Sequence, residues 1–207
     1  MKFRFALAVA ILLAMQALTM ATVSWAAQRQ PVIEAFDFAN TLKPWVAGAN
    51  HTECLSKVTL QLQEDITVGP LPANSYAALT NECGGTVWMV ARLSLQGNSF
   101  TVSFDARDVS GCVGCIPLLY VGRSLPYNAS QFSTDYESLD PSWKAHKLQA
   151  YIGGPDMGGT QSVYVALGFV NLDLERPDGK QLVGFDNIQI NAEIEQPICL
   201  ECDRNDK

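Results

Sequence analysis

Ser162-Val-Tyr-Val-Ala-Leu-Gly-Phe-Val-Asn171 and Val183-Gly-Phe-Asp-Asn-Ile-Gln-Ile190 are two alternating runs separated by the turn-rich Glu175-Arg-Pro-Asp-Gly179. Apolar residues at every second position give the period of a strand with one buried face, and the Pro-Asp-Gly cluster cannot continue either strand. The pattern extends outward along the chain. In Lys57-Val-Thr-Leu-Gln-Leu-Gln63, Val58, Leu60 and Leu62 share a face, and in Phe100-Thr-Val-Ser-Phe-Asp-Ala106, Phe100, Val102 and Phe104 point inward. Further strands read over residues 32–38, 76–80, 86–93, 116–122 and 143–151. They are punctuated at Gly69-Pro-Leu-Pro72, Gly84-Gly85, Gln96-Gly-Asn98 and Gly153-Gly-Pro-Asp-Met-Gly-Gly159. No stretch beyond the N-terminus has a 3.6-residue period, and no tandem repeat is present. About nine short strands with one wet face predict an all-β fold, an antiparallel two-sheet β-sandwich of the jelly-roll kind.

At the N-terminus, Lys2 and Arg4 precede an apolar run from Phe5 to Met20, followed by Ser24-Trp25-Ala26 with small residues where a signal peptidase reads. That pattern predicts a secretory signal over 1–26, cut after Ala26. The other reading of the run is a retained anchor, since about 18 apolar residues can span a bilayer. No later segment is long and apolar enough to insert stably. A single sandwich domain is expected over 27–195, with a Cys-containing tail over 196–207, in a secreted, periplasmic or cell-envelope protein. Lys2 and Arg4 belong to the 14 basic residues, so 12 remain against 21 acidic ones, a formal charge of −9. This balance excludes nucleic acid as a partner. Oligomeric state is left open.

Six cysteines, an even number in an exported chain, favour disulfides over free thiols. Cys54 and Cys83 stand alone in the sequence and are expected to pair. Cys112 with Cys115, and Cys199 with Cys202, form two Cys-x-x-Cys motifs that would suggest zinc in a cytosolic chain. Export turns the reading to bridges, either within each pair or from the tail to the loop at 112. Neither motif opens a helix in a βαβ unit, as thioredoxin-type chemistry needs.

The order of pieces is informative beyond each alternation. Phe36-Asp-Phe38 is followed by Trp45, then a Phe-Thr-Val-Ser-Phe-Asp run, a Trp143-Lys-x-x-x-Leu strand, and Val163-Tyr-Val-Ala-Leu-Gly-Phe169 before Phe185-Asp-Asn-Ile-Gln-Ile190. Over residues 32–192 this order resembles secreted jelly-roll modules of the carbohydrate-binding, galactose-binding-like type. The resemblance implies a structural calcium between first and last strands, at positions matching Asp37 and Asp186. This chain departs from the usual pattern there, with Asp in place of Glu and Asp-Asn in place of Asp-Asp. Calcium takes roughly six to eight oxygens, so two acids are compatible with a site without making one. A bend in which Asp186 and Asn187 satisfy local amides is the alternative.

Sugar binding of the kind the resemblance implies stacks aromatic rings on pyranose faces while amides, acids and arginines read hydroxyls. Candidates outside the alternating core set lie in the irregular stretch 123–141, which reads as a long loop with one helical turn. They are Tyr127, Phe132 and Tyr136, with Arg123, Asn128 and Asp135 nearby. The same aromatics could instead anchor the loop. Trp45 and Trp143 read as core, while Trp88 shares a strand face with Val90 and Arg92 on an exposed or concave side. Catalytic signals are sparse. Gly-x-Ser-x-Gly and His-Glu-x-x-His are absent, His51 and His146 are the two histidines, and His146 reads as solvated. Acid pairs such as Glu137 with Asp140, or Asp173 with Glu175, read as solvated loop acids. The expectation is a non-enzymatic binding module for a glycan or related surface ligand. Alternatives are a structural or adhesive envelope protein with a protein partner, and a small secreted hydrolase.

Overall fold

The computed structural model describes residues 32–65, 74–112, 114–153, 159–172 and 180–193. The expected signal segment, the turn over 175–179, Asp173, Cys199, Cys202 and the tail over 196–207 lie outside the described residues. Ten strands run as β1 Val32–Phe36, β2 Val46–Ala49, β3 Val58–Asp65, β4 Asn74–Asn81, β5 Thr86–Gln96, β6 Ser99–Asp108, β7 Cys115–Gly122, β8 Lys144–Tyr151, β9 Thr160–Asn171 and β10 Gln181–Glu193. They form two antiparallel sheets. One has the order β3-β4-β10-β6-β8, with β1 also paired to β10, and the other β2-β5-β9-β7. The β-sandwich class is as the alternation predicts. The two runs that open the sequence argument part company, β9 joining the four-stranded sheet and β10 the six-stranded one.

Alternation fixes which residues meet between the sheets. Val163, Val165, Leu167 and Phe169 of β9 face Phe100, Val102 and Phe104 of β6 and Val183, Phe185, Ile188 and Ile190 of β10 in one buried cluster with Val87, Met89 and Leu95 of β5. The inward phase of β10 slips by one residue between Phe185 and Ile188. A bulge absorbs it: the pairing with β6 shifts between Asp186 and Gln189, and Asn187 sits at φ 49°. Asparagine tolerates this left-handed region better than most residues, and the extra residue returns Ile188 and Ile190 to the core.

β2 is absent from the sequence reading because Val46-Ala-Gly-Ala49 has little strand propensity. Small residues are required there for a tertiary reason. A Cβ at Gly48 would meet the Trp88 ring, with the indole nitrogen 2.3 Å away. Trp143, expected in the core, instead lies half-buried on the outer side of the six-stranded sheet, edge-on to Tyr76 at 5.4 Å and over Arg107, whose guanidinium carbon is 4.8 Å from its ring centre. It stands one residue before β8, on the face opposite His146, Leu148 and Ala150, and its indole N–H donates to Asp65 at 2.6 Å. Trp45 is buried, as expected.

Cys54 and Cys83 are bridged, joining the 3-10 turn before β3 to the turn after β4 across 29 residues. Cys112 and Cys115 form a local bridge at the entry to β7, so of the two arrangements open for this pair it takes the internal one.

Candidate functional site

The outer face of the four-stranded sheet carries the apolar surface that the core does not use. Register sets Gly48, Trp88, Gly168 and Leu118 in one row, Val46, Val90, Ala166 and Tyr120 in the next, and Arg92, Tyr164 and Gly122 in a third. Glycines let the rings lie down on the sheet. A Cβ at Gly122 would meet the Tyr120 phenol, and one at Gly168 would stand 2.1 Å from the Val87 carbonyl oxygen. Trp88, Val90, Tyr120 and Ala166 form a second buried cluster, with Phe132 and Tyr164 packed against it. An outward sheet face is ordinarily polar, so this row of aromatics is the face's distinguishing property.

The cover over it is the loop between β7 and β8. Ser133 exchanges backbone hydrogen bonds with Leu119, 2.9 Å and 2.7 Å, and the Leu139 N–H donates to the Cys115 carbonyl at 2.8 Å, so the loop lies along the free edge of β7. Phe132 then reaches back over the sheet, its ring centre 5.4 Å from Trp88 and 5.7 Å from Tyr120. The expected helical turn is a 3-10 turn at Ala129–Gln131, closed by a capping box. Asn128 accepts from the Ser130 amide while Gln131 accepts from the Asn128 amide, so these two side chains fold the loop.

The expected site residues therefore fall into separate places. Phe132 joins Trp88 and Tyr120. Arg123 is exposed and its Nε donates to Gln161 on β9 at 3.1 Å. Tyr127 and Tyr136 are 68% and 78% exposed and, among the described residues, contact no other aromatic ring. Asp135 turns away from the aromatic face, to His146, at 3.3 Å from Nδ1. Sequence reasoning left Trp88 unplaced and missed Tyr120, Tyr164 and their glycine partners. The detectable signal was the even-numbered phase of β5 and β9, which holds Trp88, Val90, Tyr164 and Ala166 where a wet face would hold polar residues.

His146 is not solvated: it is 3% exposed and stacks on Phe104 with ring centres 5.5 Å apart. Its strand alternates inward at 146, 148 and 150, a phase that its polar neighbours obscure in the sequence. The imidazole meets the loop carboxylates Asp135 and Glu137, its Nδ1 3.3 Å from Asp135 Oδ2. Asp140, by contrast, is occupied locally by Ser142 and Lys144.

At the other expected site, Asp186 lies opposite Asp105 in register. Burial lifts the Asp186 carboxyl to about 6, with the Asp105, Asp37 and Asp65 carboxylates adding to the effect against the lowering by the Asn187 amide. Asp65 is paired with Arg107 at 3.3 Å, whereas Asp37, Asp105 and Asp186 offer hard oxygen donors of the kind calcium takes. Local bonds also engage these groups. Asp37 accepts from the Ala39 amide at 3.2 Å, Asp186 from the Asn187 amide at 2.9 Å, and Asn187 Nδ2 donates to Asp105 at 2.7 Å.

Two antiparallel sheets in this arrangement are the architecture of the β-sandwich carbohydrate-binding modules, and the chain has that fold. The C-terminal family 22 carbohydrate-binding module of Clostridium thermocellum Xyn10B is similar with a TM-score of 0.51 at 11% identity, covering 79% of this chain and 96% of that one. A xylan-binding domain of the same family is similar with a TM-score of 0.50 at 12% identity, covering 78% and 94%. The CBM22-1–GH10 modules of Clostridium thermocellum endo-1,4-beta-D-xylanase 10B, complexed with xylohexaose, give 0.52 at 10% identity, covering 79% and 29%. At these identities the likeness is one of fold. No family model and no curated protein matches the chain.

Proposed function

We propose that the protein is an exported, non-catalytic module that binds a glycan where the long loop meets the outer face of the four-stranded sheet. The observation carrying this reading is the aromatic face itself: Trp88 and Tyr120 laid flat over glycines, with Phe132 and Tyr164 half-buried above and beside them. Flat rings with polar groups at the rim suit the alternating apolar and hydroxylated surfaces of a pyranose. The rim is supplied by Arg92, bonded to Ser162 at 2.7 Å, and by Arg123 on Gln161. Tyr127 and Tyr136 add exposed rings on the same loop, and Asn128 shapes it. The likeness in fold to xylan-binding domains makes a β-linked polysaccharide such as xylan the first probe. A calcium ion at Asp37 and Asp186 would brace the sandwich away from this face. Export is supported by the apolar N-terminal run and by the bridges Cys54–Cys83 and Cys112–Cys115. Among the described residues no helix is long and apolar enough to cross a membrane.

A second reading is favoured by one observation. Trp88 is only 3% exposed beneath Phe132, as an anchor for the loop would be, which suits an adhesive or structural protein with a protein partner. Affinity electrophoresis through xylan, galactan and other polysaccharide gels, with calcium and with chelator, separates the two. Retention that falls several-fold in Tyr127→Ala, Tyr136→Ala and Phe132→Ala is the expected result. No retention on any polysaccharide in either condition would leave the protein-partner reading.

A further inference from the structure

We infer that Asp135, Glu137 and His146 form a binding site for a transition-type divalent cation, with zinc as the fitting ion, that ties the long loop to β8. Among the described residues these three present ligand atoms that all lie within 4.8 Å of one another. The His146 Nδ1 to Asp135 Oδ2 separation is 3.3 Å, and two ligands on a tetrahedral zinc with bonds of roughly 2.0–2.1 Å stand about 3.4 Å apart. One imidazole nitrogen and two carboxylates make a borderline donor set that suits zinc better than calcium or magnesium. The two carboxylates would also neutralise the ion's charge.

The imidazole itself is placed for this role. Its side chain is fully buried, held flat on Phe104, at an inward position where the next inward residues of β8 are Leu148 and Ala150. Its Nε2 is buried with no hydrogen-bond partner. Burying such an atom is unfavourable, and an apolar residue would remove the cost, whereas Nδ1, at the edge of the core, faces the carboxylates. The carboxylates are presented by a closed turn: the Glu137 amide donates to Asp135 Oδ1 at 3.0 Å, and Tyr136 between them holds φ 60°. That leaves Asp135 Oδ2 toward the ring. Three residues before Asp135, Phe132 covers Trp88, so an ion here would fix the segment that closes the aromatic face. The site is separate from the Asp37–Asp186 region, and its test does not depend on glycan binding.

The test uses the full chain with cobalt(II) as a spectroscopic probe and zinc as competitor. One cobalt per chain with the visible bands of a four- or five-coordinate site, displaced by zinc, is expected. Asp135→Asn and Glu137→Gln change exposed loop residues, and each should weaken binding tenfold or more while the thermal unfolding of the metal-free protein stays unchanged. Zinc should also protect the 123–141 loop from limited proteolysis in the wild type and not in these variants. His51→Gln and Asp186→Asn should bind as the wild type does. Absence of stoichiometric binding by the wild type overturns the proposal, as does affinity unchanged in both loop variants. Thiolate-to-cobalt charge-transfer bands would assign the ion to cysteines and overturn it too.

Discussion

Asp186→Asn should make the metal-free protein more stable at neutral pH, although it alters a half-buried residue. The carboxyl is raised from an ordinary 3.8 to about 6, first by burial and then by the facing Asp105, Asp37 and Asp65. Because the folded state holds this proton more tightly than the unfolded chain, the stability linked to protonation is fully present below about 3.8. It is lost as pH rises through about 6. A shift near two units corresponds to about 3 kcal/mol, and solvent screening of a group half in water reduces this to about 1–2 kcal/mol. Asparagine keeps an oxygen for the Asn187 amide and carries no charge. In chelator at pH 7.5 the variant should therefore unfold at a temperature about 2–8 °C above wild type, a span that follows from about 2–4 °C per kcal/mol at this size. At pH 4.5 the advantage should shrink to about a third, since most wild-type chains are then protonated when folded. Thermal melts at the two pH values measure both numbers. Saturating calcium should reverse the order at pH 7.5 if the carboxylates hold the ion, by stabilising wild type alone. A variant less stable than wild type in chelator at pH 7.5, or a difference that ignores pH, would refute the electrostatic reasoning.

Replacing Cys54 and Cys83 together by alanine releases a loop of 29 residues, and chain entropy sets the loss at about 3.5 kcal/mol, readable as a lower urea midpoint with a slope no smaller than wild type, since the unfolded chain becomes less compact. Gly168→Ala places a methyl 2.1 Å from the Val87 carbonyl oxygen in a central strand pair, where the backbone cannot yield, and should cost about 2–3 kcal/mol in a thermal melt. Gly111→Ala is the contrast: nothing lies within 4 Å, so only the left-handed backbone at φ 77° is penalised, at about 1 kcal/mol. Phe132→Ala removes the ring above Trp88 and should shift tryptophan emission to the red and raise acrylamide quenching. An unchanged spectrum would mean that Phe132 does not cover Trp88 in solution.

The sequence by itself determined the sandwich and its core, because a period-two pattern records which side of each strand is dry whatever the strand's partner. Val163 to Phe169 and Phe100 to Phe104 face inward for that reason, and the pairing of Cys54 with Cys83 followed from their isolation. Several residues were legible as types and not as roles. His146 sits between Ala145 and Lys147 and gives no local sign of burial, because its phase is set by Leu148 and Ala150 further along. Trp143 looked like core because large rings usually are, whereas Tyr76, Arg107 and Asp65 hold it on the outer face. Only the tertiary structure decided where the outer aromatic face could form. Gly48, Trp88 and Gly168 are 40 and 80 residues apart and become one row through strand register. Likewise the loop carboxylates Asp135 and Glu137 meet a buried imidazole because β7 and β8 end on facing edges of different sheets. Such meetings depend on which strands become neighbours, a long-range choice that local alternation does not encode.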